Sequence, residues 1–244
     1  MLDPLHQFAI KPVFKEHSFS LFGFDLSFTN SSVAVLVTVL AVYVILTLGT
    51  RNKKLVPDRL QAVGELAYKL VADMIDSNVG RHGQKYFPFV FSIFLFILTG
   101  NLLGMVPGMF TFTSHIIATF ALATLVFLFV TVIGFARHGM KFFGIFAPQG
   151  LPKALLIPLI IVELISYLSR PFSLAVRLFA NMMAGHTMMK VFAGFVGMLG
   201  LFWGIAPMAV NVILTGFEIV VSVLQAYIFT ILTCVYLHDA VHLH

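Results

Sequence analysis

The stretch from Ser31 to Gly49 carries no charged side chain, and four more long apolar runs follow at about 87–106, 115–136, 154–192 and 203–237. A helix of about 20 such residues crosses the hydrocarbon core of a bilayer, and it satisfies its own backbone N–H and C=O groups where no water can. Only 10% of the 244 residues are charged against 59% hydrophobic, whereas soluble domains carry roughly 25% charged residues. The expected fold is therefore all-α: a polytopic membrane protein with five transmembrane helices, in a single membrane domain over 1–244.

The layout follows from where polar residues interrupt these runs. An outer-side amino-terminal segment covers 1–30, and the first span covers 31–50. Over 58–77 the pattern becomes amphipathic, with Leu60, Val63, Leu66, Ala67, Leu70 and Met74 on one side and Arg59, Glu65, Lys69 and Asp73 on others. That predicts one amphipathic helix lying along the membrane surface. Spans two and three form a hairpin over 87–136, turned at Pro107-Gly108-Met109, and spans four and five form a long antiparallel hairpin over 154–238. The last two spans exceed what a perpendicular helix needs, which implies tilt or kinks, with Pro158, Pro171 and Pro207 as the natural kink sites. Excess Lys and Arg in 51–85 and 137–153 place those segments on the cytoplasmic or matrix side, with the amino terminus outside. The small net charge of +5 thus orients loops and offers no nucleic-acid face. Cys234 is the sole cysteine, so no intrachain disulfide forms. No Gly-rich phosphate loop suggests a nucleotide site. Met1-Leu2-Asp3-Pro4 lacks the basic start of a signal peptide, so insertion is expected to rely on the internal spans.

Arg177 breaks the pattern, lying inside the fourth apolar run. A guanidinium stays charged, and near the bilayer centre it costs from roughly 3 to over 10 kcal/mol unless an anion meets it. It belongs to a stripe. Glu163, Ser166, Arg170, Ser173, Arg177 and Asn181 recur in helical steps, as do Asn211, Thr215, Glu218, Ser222 and Gln225 on the fifth span. Neither stripe can face lipid cheaply, so both face protein or water. With the turn in 197–203, residues of equal height share a midpoint near Leu201. Arg177 then stands level with Gln225, His186 with Glu218, Asn181 with about Ser222, and Arg170 with Thr233. His186 lies about 13 Å from Arg177 towards the outer face. A His and a Glu at one height can exchange a proton near neutral pH. The order is a titratable pair on the outer half, a fixed cation at mid-membrane, and Glu163 with Ser166 and Ser169 towards the inner face.

The run Ser169-Arg170-Pro171-Phe172-Ser173-Leu174-Ala175-Val176-Arg177-Leu178-Phe179-Ala180-Asn181-Met182-Met183-Ala184-Gly185-His186 closely resembles subunit a of the F-type rotary ATP synthase, of the alphaproteobacterial and mitochondrial type. Leu224-Gln225-Ala226-Tyr227-Ile228-Phe229-Thr230 and Gly100-Asn101-Leu102-Leu103-Gly104-Met105-Val106-Pro107 extend the likeness to nearly the whole chain. The resemblance implies a subunit that is no enzyme by itself, needs no cofactor or metal, and moves H+. It implies that Arg177 faces the carboxylates of a rotating c ring and separates two half-channels. His186, Glu218 and Asn101 then serve the outer half-channel, Asn181 and Gln225 are polar partners of the arginine, and Glu163, Ser166 and Ser169 serve the inner one. Gly104 departs from members with an acid in that stretch, so no role is assigned to it. Implied partners are the c-ring subunits, the peripheral-stalk b subunits, the rest of the synthase and lipid. The implied location is a bacterial inner membrane, with the mitochondrial inner membrane as the alternative.

Other readings of the same residues remain. Arg177 fits a structural ion pair, or a transporter site for a carboxylate substrate, although no internal repeat favours a transporter. His186 and Glu218 fit a satisfied buried pair. Arg170, nearer the inner face, is expected to meet lipid phosphate, and His238, Asp239, His242 and His244 are expected to form a solvated tail.

Overall fold

A computed structural model describes residues 9, 12, 20, 21, 24, 25, 27–51, 57–106, 108–146 and 153–242. Most of the predicted segment 1–30, together with Pro107 and His244, lies outside the described residues. Among the described residues six α-helices make up the body: α1 (Asn30–Arg51), α2 (Arg59–Asn78), α3 (Phe87–Gly104), α4 (Ile116–His138), α5 (Lys153–Trp203) and α6 (Ile205–Val241). Before α1, Ser20–Leu21 pairs antiparallel with Phe24–Asp25 in a two-residue ladder. Among the described residues five stretches are long and apolar enough to cross a membrane: Asn30–Gly49, Arg81–Gly104, Ile116–Ile145, Leu156–Gly200 and Ile205–Val241.

The long hairpin bends where backbone sterics allow it and stays helical at its prolines. Pro158 and Pro171 lie inside α5, yet the one non-helical residue there is Gly200, at φ +70°. A proline removes one hydrogen bond but its φ remains helical, whereas a positive φ costs every residue with a Cβ. Pro207 falls in the first turn of α6, where its missing N–H has no helical acceptor to lose. The corner is therefore a glycine, and none of the three prolines makes it.

α6 is the central element, packed against α5 and α3, with α4 against both α5 and α6. The shared core includes Phe94 and Ile97 of α3, Val126 and Val130 of α4, Leu174, Leu178 and Met182 of α5, and Ala226, Phe229, Cys234 and Leu237 of α6. Outward faces are apolar as well, with Leu36 and Leu40 on α1, Ile117 and Val132 on α4, and Ile213 and Phe217 on α6 all exposed. A surface of that composition suits hydrocarbon. The surface helix α2 is rotated relative to expectation. Val71, Met74 and Ile75, with Val79 just past its end, form its buried line, while Val63 and Leu66 are exposed. Contacts with α1, α3 and α6 select the face, tertiary packing overriding the local pattern.

Candidate functional site

His186 and Glu218 meet. The antiparallel course of α5 and α6 from the Gly200 corner brings His186 Nδ1 into direct contact with Glu218 Oε1. Both residues are buried, at 6% and 3% exposure, so bulk water does not compete for the contact. On its other edge the imidazole is held by the α3–α4 turn, with Nε2 3.1 Å from the Gly104 carbonyl oxygen and 2.8 Å from Thr111 Oγ1. Thr111 Oγ1 in turn donates to the same carbonyl at 2.9 Å. A carbonyl only accepts, which assigns a hydrogen to Nε2. Nδ1 and Oε1 then hold one proton between them, as imidazolium with carboxylate or as imidazole with carboxylic acid. Among the described residues Glu218 Oε2 is buried with no protein partner, so the carboxyl keeps a free lone pair. Gly185 permits the approach, because a Cβ there would fall 2.7 Å from Oε1.

Above this pair lies a cavity of about 730 Å³ whose lining includes His186, Gly104, Lys190, Asn211 and Thr215. Asn30 at the start of α1 closes its rim by donating to the carbonyl of Ala9 at 3.1 Å. Polar residues continue along α6 from Glu218 through Ser222 and Gln225, both buried. Asn101 of α3, fully buried, donates to the Ser222 carbonyl at 3.5 Å and leaves its own Oδ1 without a protein partner. Two buried acceptors, Glu218 Oε2 and Asn101 Oδ1, thus stand in this region without a partner among the described residues.

Arg177 points the other way. Leu174, Leu178 and Met182 of α5 turn into the core, whereas Ser173, Arg177, Ala180 and Ala184 are exposed along the opposite side. Among the described residues the ion pairs are His186–Glu218 and Arg170–Asp239, so no internal acid neutralises Arg177. Asn181 is half-buried and Gln225 buried, and neither is hydrogen-bonded to the guanidinium among the described residues.

The family described as ATP synthase A chain matches residues 32–238. The chain belongs to that family. An ATP synthase subunit a of Rhodospirillum rubrum is 53% identical over 244 residues, covering all of both chains. The subunit a of Pelagibacter ubique is 50% identical over 242 residues, 99% of this chain and 98% of the relative. That of Agrobacterium fabrum is 51% identical over 246 residues, 98% of each.

Two features of this subunit a family member are absent from the sequence reading. Thr111 and the Gly104 carbonyl hold His186, yet a threonine beside the short turn Phe112–Ser114 belongs to no helical stripe, and a carbonyl has no signature in a sequence. At the end of the α5–α6 hairpin remote from Gly200, Arg170 is not left to lipid phosphate. Its guanidinium pairs with Asp239 at 2.9 Å and lies 5.2 Å and 5.0 Å from the ring centres of Tyr167 and Tyr236. Tyr167 OH shares a hydrogen bond of 2.7 Å with Thr131 Oγ1, tying α4 to the cluster. Nor is the carboxyl end a solvated tail, since α6 runs to Val241 and buries Leu237, Ala240 and Val241. Among the described residues no group of three or more His, Cys, Asp or Glu is placed to hold a metal ion. Glu163 is half-buried, and Ser166 and Ser169 are exposed, with Ser169 Oγ donating to the Ser166 carbonyl at 2.7 Å.

Proposed function

We propose that this chain is the stationary proton-path subunit of an ATP synthase membrane sector. It delivers protons from the outer side to carboxylates of a rotating c ring and returns them to the inner side. The observation that carries the reading is Arg177: an exposed guanidinium on a membrane-spanning helix, without an internal counter-charge among the described residues. The cost of that charge at bilayer depth, roughly 3 kcal/mol or more, has to be offset by an anion from another chain. A ring carboxylate passing the open face of α5 is such an anion.

A proton reaches His186 from the outer cavity, crosses to Glu218, and descends past Asn101 and Ser222 to a ring carboxylate leaving Arg177. Neutralised, that carboxyl no longer attracts the guanidinium and can turn into lipid. After most of a rotation it meets the inner path near Glu163, Ser166 and Ser169, loses its proton, and is drawn back to Arg177. The guanidinium also repels any cation moving straight between the two paths, which keeps flow coupled to rotation. Asn181 and Gln225 flank the arginine as polar neighbours. The other partners are the peripheral-stalk b subunits and the remaining synthase subunits, in a bacterial inner membrane.

The test is Arg177→Ala in the assembled synthase, reconstituted into vesicles. ATP synthesis and ATP-driven proton pumping are expected to vanish while passive proton leak rises. Pumping that survives the substitution refutes the reading.

A further inference from the structure

The outer cavity contains one feature that proton delivery does not call for. Among the described residues lining it, Lys190 alone carries a fixed charge, and none is an acid. Lys190 is exposed and has no ion pair among the described residues. Four residues beyond His186 on α5, it lies on the same helical face, with Cβ atoms about 6 Å apart. Its ammonium is a compact, hydrated charge on a flexible stem.

What stands beneath it is a hazard. Two donors meet there directly, the His186 imidazole and the Glu218 carboxyl, whose Oε2 has no partner among the described residues, while the Gly104 carbonyl stands at the opposite edge of the ring. Nitrogen and oxygen donors of this kind bind zinc and similar divalent ions. A cavity of about 730 Å³ admits a hydrated ion. Since metal ligands must be deprotonated, an ion seated there would displace the shared proton and block transfer.

We infer that Lys190 is a guard charge that keeps divalent metal cations away from the His186–Glu218 pair while letting protons pass. The inference rests on the outer path proposed above. Discrimination follows from valence, because Coulomb repulsion doubles for a doubly charged ion. At about 8 Å in water-like surroundings, a unit positive charge lowers divalent occupancy about sixfold and that of a monovalent cation only about 2.5-fold. A proton, relayed through water and discharged on His186, bears the smaller factor.

The experiment uses the assembled synthase in proteoliposomes at low ionic strength, with zinc titrated on the outer face during gradient-driven ATP synthesis. Each variant is normalised to its own metal-free rate. Lys190→Gln and Lys190→Met are expected to lower the half-inhibiting zinc concentration about sixfold, and Lys190→Arg to leave it unchanged. Radioactive zinc binding to the detergent-solubilised synthase, measured by equilibrium dialysis, should tighten by the same factor and be lost in His186→Ala. Salt near 1 M should erase the difference, because screening then acts within about 3 Å. Identical inhibition and binding curves for wild type, Lys190→Gln and Lys190→Met at low salt overturn the guard. Tighter binding at His186 that leaves synthesis untouched upholds the guard and refutes the proton path instead.

Discussion

Gly185→Ala separates stability from transport at the outer site. The added Cβ would stand 2.7 Å from Glu218 Oε1 and 2.8 Å from its Cδ. Comfortable non-bonded contacts begin at about 3.5 Å, so the carboxylate must retreat by about 0.8 Å. Overpacking costs about 1–3 kcal/mol, and the low end applies because the obstacle is the far end of a flexible side chain. Replacing a mid-helix glycine by alanine returns about 1 kcal/mol. The two effects nearly cancel, and the synthase should assemble in normal amount. The His186–Glu218 contact has no such compensation. A hydrogen bond to a charged group is worth about 1.5–3 kcal/mol, so its loss slows proton transfer about tenfold to a hundredfold. The assay is the initial ATP synthesis rate at a fixed imposed gradient, divided by the amount of assembled enzyme. Glu218→Asp, one methylene shorter, makes room for the Cβ, so the double variant should be faster than Gly185→Ala alone. Wild-type synthesis in Gly185→Ala, or failure of the variant to assemble, refutes the reasoning.

Removing the hydroxyl that holds the far edge of the imidazole, in Thr111→Val, should cost about 1 kcal/mol and slow synthesis about fivefold. Thr111→Ser should restore it, and an unchanged dependence of rate on outer pH in the valine variant argues against a positioning role. At the end of the hairpin remote from Gly200, Asp239→Asn leaves the Arg170 guanidinium beside two tyrosine rings without its carboxylate. The pair is partly exposed, so the expected loss is about 1 kcal/mol, read as a fall of a few degrees in the thermal unfolding of the purified complex. No shift would mean that the pair is idle.

The fold was largely readable because membrane spans announce themselves by length and absence of charge, and the heights of facing residues follow from a fixed rise once the corner is placed. His186 and Glu218 meet for that reason. The same arithmetic sets Arg170 level with Thr233, yet its guanidinium ends on Asp239, because a long stem uncouples the charge from its Cα height. The docked end of α6 left a signal in Thr233, Cys234, Leu237, Ala240 and Val241, which recur in helical steps. Its interspersed histidines and aspartate outweighed that pattern in the reading as a tail. Thr111 could not be found at all from spacing, since an irregular turn carries it to His186 across 75 positions of sequence. Where periodicity ends, tertiary contact alone selects the partner.

A corner made by one glycine gives the α5–α6 hairpin a strict arithmetic of its own. Each residue inserted between Gly200 and His186 would swing the imidazole about 100° around α5 and lower it about 1.5 Å, aiming it away from Glu218. The opposed arms behave like the two sides of a zip, in which one tooth too many misaligns everything beyond it. Side chains along these arms are free to drift over generations, but the count of residues from the bend to each functional position is not.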